Sequence, residues 1–151
     1  MKDGWPLSEA LGLRRLLEQA GASTYRVRVR DLLLSCSIGI YDYERQHPQR
    51  VRINVELDVA DPGDFARGDF SKVLNYEMIV DGTKAIVAAG HIDLVETLAE
   101  RIAALCLDDS RAESVLVTVE KLDVYSEAEG VGVSIVRRRA ARAATDNGPR
   151  P

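Results

Sequence analysis

One cation lies where the sequence pattern calls for an apolar side chain. Within residues 114–121, Val115, Val117 and Val119 share one face of a predicted strand. Lys121 falls on that same face. Burying its ammonium group is unfavourable unless a partner, a water-lined pocket or a lowered pKa compensates, and such settings also let a lysine act as an acid or base. The alternative is that the side chain reaches solvent along its own stem at the strand end.

The other reactive side chains match no metal or nucleophile motif. Cys36 and Cys106 lie on a predicted strand and a predicted helix without C-x-x-C spacing, so we expect both to be small core residues. His47 and His91 lie at turn-like positions and fit neither a catalytic triad nor an H-E-x-x-H pattern. The sequence therefore predicts no metal site.

The composition is that of one ordinary globular domain. The 151 residues are 46% hydrophobic and 29% charged, which suits a single core and argues against disorder and a membrane protein. A formal net charge of -4 makes nucleic acid an unexpected partner. Arg14 and Arg15 interrupt the apolar run at residues 11–17, so no secretory signal is predicted and we expect a cytoplasmic protein.

Periodicity divides the chain into a domain with two additions. Residues 8–19 are typical of a short amphipathic helix that stops at Gly21, and residues 140–151 lose periodicity. We therefore expect an N-terminal helical extension at 1–22, one domain at 23–139 and a disordered C-terminal tail at 140–151.

The domain itself has the order two strands, two helices, two strands. Alternating apolar and polar residues predict strands at 24–34, 50–60, 115–122 and 131–138. Helices are expected at 76–89, capped by Asn75, and from Asp93 to near Leu107. This order predicts an α+β fold with a four-stranded antiparallel sheet and both helices on one face.

Two further patterns bear on function. Residues 37–48 are predicted to form an irregular excursion between the first two strands, and long loops are often functional. A four-stranded sheet leaves unpaired backbone at both margins, so side-by-side assembly into a closed ring is expected. A site could then be built from two chains of a homo-oligomer.

Five segments, taken in order and spacing, resemble the dihydroneopterin aldolase family. They are residues 38–44, 73–76, 94–102, 117–121 and 129–135. The resemblance runs from residue 25 to residue 138. It implies the tunnelling fold (T-fold), in which four-stranded units with two helices form ring-shaped tetramers that commonly stack as octamers.

The resemblance also implies a reaction and its substrate. The family's lyases cleave 7,8-dihydroneopterin, a small-molecule pterin, to 6-hydroxymethyl-7,8-dihydropterin and glycolaldehyde, a retro-aldol step of folate biosynthesis that uses no cofactor. Protonation of the pterin at N5 makes the ring an electron sink, so loss of a side-chain hydroxyl proton releases the two-carbon aldehyde. The protein then has to supply an anchor, a proton shuttle and positioning groups.

By the same resemblance, three residues would be catalytic. Lys121 would be the general acid or base, acting through an ordered water, and Glu44 would meet the hydroxylated side chain of the substrate. Tyr76 would stack near the pterin and return a proton to the enol-like intermediate, facing the site of an adjacent subunit. The alternatives are a solvated loop carboxylate for Glu44 and a core aromatic for Tyr76.

Three more residues would bind the substrate. Glu96 would accept from the amino group and adjacent N–H of the pterin, while Val95 and Asn75 would lend backbone groups or edge contacts. The alternative for Glu96 is a structural one, because Asp93 and Glu96 have the spacing of a capping box at the start of the second helix.

Two other functions stay open on the sequence. Leu122 follows the lysine where many aldolases have proline, and this stretch also resembles dihydroneopterin triphosphate epimerase, which inverts the C2' configuration. A triphosphate would need a basic rim, for which Arg45, Arg50 and Lys72 are candidates, although acidic residues are equally near. The third possibility is a non-catalytic T-fold module that binds a pterin or purine.

Overall fold

The computed structural model describes residues 23–140, which contain four strands, three α-helices and a short 3₁₀ turn. The elements in chain order are β1 (Thr24–Cys36), α1 (Asp42–Gln46), β2 (Gln49–Ala60), the 3₁₀ turn (Phe70–Lys72), α2 (Tyr76–Ala88), α3 (Val95–Asp108), β3 (Ala112–Lys121) and β4 (Val131–Arg138). The expected N-terminal extension and all but the first residue of the expected tail lie outside the described residues. No helix within the described part has the length and apolar character needed to cross a membrane.

The strands form the predicted four-stranded antiparallel sheet, and their order in it is β1-β2-β3-β4. One face is apolar and packs against α2 and α3. Its central rows come from β2 and β3, whose inward side chains are almost wholly buried: Val51, Ile53, Val55, Leu57, Val59, Val115, Val117 and Val119. Burial of this face supplies the main apolar driving force for the fold.

A bulge in β1 extends this strand beyond its predicted end. The pairing with β2 shifts between Val29 and Leu32, where Asp31 has a left-handed φ of 53° and donates its N–H to Asn54 Oδ1 over 2.9 Å. The extra residue moves the inward face from odd to even positions. The strand can therefore continue to the buried Cys36 and deliver Ile38 into the core.

The starts of the two long helices differ. Asn75 Oδ1 accepts a hydrogen bond of 2.9 Å from Glu77 N, which confirms the predicted cap of α2. At α3 the predicted capping box is wrong, because the N-cap residue is Leu94, which offers no side-chain acceptor. The Asp93 carboxylate instead accepts from Arg45 Nη2 over 2.7 Å. Because the N-cap is Leu94, Glu96 is the second residue of the helix and has no capping role.

The excursion predicted to be irregular contains the short helix α1. Glu44 N donates to Tyr41 O over 3.0 Å, and Tyr41 N donates back to Glu44 Oε2 over 3.1 Å. A helix of 5 residues is too short to show a helical period in the sequence. Its single buried side chain is Glu44.

The cysteines are core residues, as predicted. Cys36 and Cys106 are free and buried. Burial raises the pKa of the Cys106 thiol to about 12, so the nucleophilic thiolate is scarce near neutral pH.

Candidate active site

Lys121 and Glu44 form a largely buried ion pair. Lys121 Nζ donates to Glu44 Oε1 over 2.7 Å, and the two side chains are 16% and 6% exposed. Lys121 is paired with Val51 at the end of β3, on the apolar face where the sequence places it. The cation is therefore compensated by a buried carboxylate rather than by extension into solvent, and Glu44 is not the solvated loop charge of the alternative.

Two further donors and one close backbone contact fix the Glu44 carboxylate. Oε2 accepts from Tyr41 N, and Oε1 accepts from Gln49 Nε2 over 3.2 Å. Gly39 lies against the carboxylate with φ of 132°, and a Cβ there would lie only 1.8 Å from Glu44 Oε2. The loop therefore needs glycine at this position, both for its backbone conformation and for space.

The environment of Glu44 favours its ionised form. Burial raises its pKa, but hydrogen bonds from Lys121, the Tyr41 backbone and Gln49 outweigh burial and hold the pKa below the usual 4.5. The carboxylate is thus charged across the neutral range.

We expect the Glu44→Gln substitution to remove an acid-sensitive part of the stability. A carboxylate whose pKa is lowered by folding stabilises the protein above its unfolded-state pKa, and the contribution is lost as pH falls through the folded-state pKa. The free energy of unfolding, measured with urea, should therefore fall more steeply below about pH 4.5 for the unsubstituted protein than for the variant. Glu100→Gln is the control, since Glu100 is 49% exposed in its pair with Arg137. Parallel pH profiles for the Glu44 variant and the parent would contradict this role.

A cavity of about 270 Å³ opens beside the ion pair. Its charged side chains are those of Glu44, Lys121, Glu96 and Asp93, and apolar side chains including Ile40, Leu94, Val95 and Val133 form its walls. The structure thus brings together four of the six predicted site residues: Glu44, Lys121, Glu96 and Val95. Apolar walls with a few converging polar groups are typical of a binding site for a small molecule.

Glu96 stands at the open N-terminus of α3. Its side chain is exposed and makes no hydrogen bond or ion pair within residues 23–140. The first N–H groups of a helix have no partner inside the helix, and they favour a carboxylate nearby. With the capping role excluded, this carboxylate and the adjacent backbone are available to a ligand.

Tyr76 and Asn75 do not line this cavity. Tyr76 is 63% exposed at the start of α2, so the alternative of a core-packed aromatic is wrong. The Asn75 side chain is engaged in capping α2. Within one chain, the described residues therefore bring Glu96 and the Lys121–Glu44 ion pair to the cavity, while Tyr76 faces outward.

Sequence reasoning missed two residues that shape the site. Gly39 could have been found, because it is the only glycine in the excursion at residues 37–48. Gln49 gave no signal: its side-chain amide reaches both Glu44 and the Ile38 carbonyl oxygen, the latter over 2.7 Å, which depends on the tertiary fold. Within residues 23–140 no group of three or more His, Cys, Asp or Glu is placed to hold a metal ion.

Known proteins resemble this chain in sequence and fold. Residues 27–136 match the family model described as dihydroneopterin aldolase. A dihydroneopterin aldolase of Streptomyces coelicolor is 33% identical over 116 residues, which cover 76% of this chain and 98% of that protein. A dihydroneopterin triphosphate 2'-epimerase of Pseudomonas aeruginosa is 27% identical over 114 residues, covering 76% and 93%. The crystal structure of Escherichia coli dihydroneopterin aldolase in complex with neopterin matches with a TM-score of 0.69 and 28% identity, covering 75% of this chain and 98% of that one.

Proposed function

Because the chain belongs to the dihydroneopterin aldolase family of lyases and has its T-fold, we propose that the cavity beside Lys121 is where it cleaves 7,8-dihydroneopterin. The observation that carries this proposal is that one cavity is lined both by a largely buried lysine–glutamate pair and by a glutamate at a helix start that has no partner among residues 23–140. The neopterin in the related Escherichia coli structure supports a pterin as the ligand.

Glu96 and the start of α3 hold the ring in this proposal. The pterin's amino group and adjacent N–H are both donors, so they match the two oxygens of one carboxylate in a charge-assisted, two-pronged contact. The backbone N–H of Val95 belongs to the first turn of α3 and can donate to a ring acceptor. This arrangement selects a heterocycle with two adjacent donors and leaves the substrate side chain to the rest of the cavity.

Lys121 and Glu44 move the proton on the substrate side chain. In the cleavage, the C2' hydroxyl loses its proton, the C1'–C2' bond breaks and glycolaldehyde leaves. The bond electrons pass to C1' and the ring protonated at N5. The Lys121–Glu44 pair lies at one wall of the cavity, where it can take the hydroxyl proton directly or through one water. No Schiff base is needed, because the ring itself is the electron sink.

The last step needs a proton at C1' of the enol-like intermediate, and we assign it to Tyr76 of a neighbouring subunit. Tyr76 is exposed and lies outside its own chain's cavity, which suits a residue that completes the site of another copy. β1 and β4 are the margins of the described sheet and offer unpaired backbone for side-by-side assembly. The proposed active form is therefore a homo-oligomer, a tetrameric ring or an octamer, in which Asn75 holds the start of α2 beside the partner's pterin.

The rim of the cavity favours a substrate without phosphates. Arg45 is held by Asp93 over 2.7 Å, and Arg50 is held by Asp123 over 2.6 Å. The third candidate cation, Lys72, lies in the 3₁₀ turn, and none of the three candidates lines the cavity itself. The nearby arginines are thus already neutralised, which supports the aldolase over a triphosphate epimerase.

We expect kcat/KM for dihydroneopterin to exceed that for its triphosphate by at least about tenfold, the effect of one unfavourable charge contact. Asp93→Asn releases Arg45 and should narrow this ratio, whereas Asp64→Asn, which alters a pair with Arg67 outside the cavity, should not. Steady-state kinetics with both substrates measure the ratio. A preference for the triphosphate in the unsubstituted protein would contradict the proposed substrate.

Product analysis separates the three functions. Purified protein incubated with 7,8-dihydroneopterin should form glycolaldehyde and 6-hydroxymethyl-7,8-dihydropterin in equal amounts, measured by chromatography and an aldehyde assay. An epimerase would form the C2' epimer as its main product. Binding of the pterin with neither product would leave a non-catalytic module, and the proposed function would fail.

A further inference from the structure

The loop that carries Glu44 and the segment that begins α3 are tied side by side. Ile38 and Ile92 form a parallel bridge, in which Gly39 N donates to Ile92 O over 2.9 Å and Ile92 N donates to Ser37 O over 3.0 Å. Both isoleucine side chains are buried. The bridge therefore joins two walls of the cavity, one formed by the loop that carries Glu44 and the other by the start of α3 with Glu96.

His91 strengthens the tie on either side of Ile38. Its Nε2 lies 2.7 Å from the Gly39 carbonyl oxygen, and its Nδ1 lies 2.7 Å from Ser37 Oγ. Because a carbonyl oxygen can only accept, Nε2 carries a hydrogen and donates it to Gly39. The imidazole is 16% exposed, so water competes little for these bonds.

The contact at Gly39 links His91 to the catalytic carboxylate. Gly39 lies so close to Glu44 that a Cβ would overlap its carboxyl oxygens, so a shift of the Gly39 backbone has to move Glu44 or open a gap beside it. His91 itself lies three residues before Leu94, which is the N-cap residue of α3. One imidazole therefore spans from the Glu44 wall to the Glu96 wall.

The parallel tie between Arg45 and Asp93 is weaker. Their side chains are 51% and 61% exposed, and exposed ion pairs contribute little because water screens them. His91 Nε2 also lies 3.5 Å from the same Asp93 carboxylate. Among these side-chain ties, His91 is the one shielded from solvent.

We propose that His91 is a positioning residue that sets the placement of the Glu44–Lys121 pair relative to the pterin held at Glu96. The proposal rests on the proposed function. Glu96 belongs to a helix that His91 does not contact through its side chain, whereas His91 Nε2 donates directly to the Gly39 carbonyl oxygen beside Glu44. Loss of His91 therefore acts on the chemical step rather than on ring binding, and a displacement of about 1 Å can slow a reaction roughly 100-fold.

Three variants test this role. His91→Phe keeps a buried ring but removes both hydrogen bonds, while His91→Gln keeps a donor able to reach the Gly39 carbonyl. Ser37→Ala removes only the partner of Nδ1. We expect kcat to fall at least about tenfold in the Phe variant and to recover largely in the Gln variant. Ser37→Ala should stay close to the parent. KM and the dissociation constant for 6-hydroxymethyl-7,8-dihydropterin, followed by fluorescence, should change less than about threefold.

Several results would overturn the proposal. All kinetics are measured well below each variant's melting temperature, so that a purely structural role lowers Tm without lowering kcat of the folded protein. Parent-like kcat in the Phe variant, a rise in KM alone, or a Gln variant as slow as the Phe variant would each reject it.

Failure of the proposed function would be visible separately. It would show as an inactive parent protein, and hydrogen exchange of the amides at residues 39–44 would then decide about His91. Faster exchange in the Phe variant than in the parent is expected, and equal exchange would reject the tie.

Discussion

Replacing Lys121 with alanine is expected to abolish turnover while leaving pterin affinity nearly unchanged. The ammonium touches Glu44 at one wall of the cavity, whereas the ring is assigned to Glu96 at the start of α3. General acid–base groups typically contribute about 10²–10⁴-fold to rate, so kcat should fall by at least 100-fold. Single-turnover assays with dihydroneopterin give the rate, and fluorescence titration with 6-hydroxymethyl-7,8-dihydropterin gives the affinity.

The alanine variant also leaves the buried Glu44 carboxylate without its cation, which destabilises a protein by about 3–5 kcal/mol. The double variant Glu44→Gln, Lys121→Met removes both charges and should fold while showing the same loss of turnover. Lys84→Ala, at an exposed position of α2, is the matched control and should keep full activity. If the folded Lys121 variants turned over at the parental rate, Lys121 would not be the proton shuttle.

Replacing Glu96 with glutamine is expected to weaken pterin binding by roughly 100-fold. Hydrogen bonds to charged groups contribute about 1.5–3 kcal/mol each, and the glutamine amide presents a donor where the pterin also presents one. Because Glu96 has no partner within the described residues, its loss should cost little stability.

Glu77→Gln provides the control for the Glu96 variant. Glu77 occupies the second position of α2, as Glu96 does in α3, so both substitutions remove one charge from a helix start. Equal pterin affinity in the Glu96 variant and the parent, by fluorescence titration, would show that the ring is anchored elsewhere. A similar fall in the Glu77 variant would assign the effect to helix charge instead.

Much of the scaffold could be read from local patterns. The two-residue alternation predicted all four strands, and β4 has the predicted limits Val131–Arg138. Asn75 was identifiable as a cap because its side chain acts on the very next turn. Lys121 was also identifiable from a local signal, because the strand pattern that it interrupts lies within a single strand.

The features that required the structure depend on distant residues. Glu44 and Lys121 are 77 positions apart, so no local pattern could show that they pair. Asp93 has the spacing of a cap, but Arg45 from the other wall takes its carboxylate. The bulge at Asp31 shifts the parity of β1, which is why the strand runs past its predicted end.

The proposed contribution of Tyr76 is of a different kind. Its role came from the family resemblance, and the single chain leaves its side chain exposed. Tyr76→Phe should therefore slow formation of the hydroxymethyl product without removing the Lys121–Glu44 pair, since it takes away only the phenolic proton. Mixing this variant with Lys121→Ala under conditions that exchange subunits should restore some activity. Absence of any restoration in mixed oligomers would argue that both residues serve the same chain.

The most direct test of the proposed chemistry is to run the reaction in D₂O and to measure the masses of the products by mass spectrometry. A retro-aldol cleavage leaves an enol-like intermediate whose C1' must take one hydrogen from solvent. We predict glycolaldehyde together with 6-hydroxymethyl-7,8-dihydropterin that carries one carbon-bound deuterium per molecule. Two results would contradict the assignment of this cavity to a retro-aldol reaction. One is hydroxymethyl product without carbon-bound deuterium, and the other is dihydroneopterin that binds to the protein but is not converted.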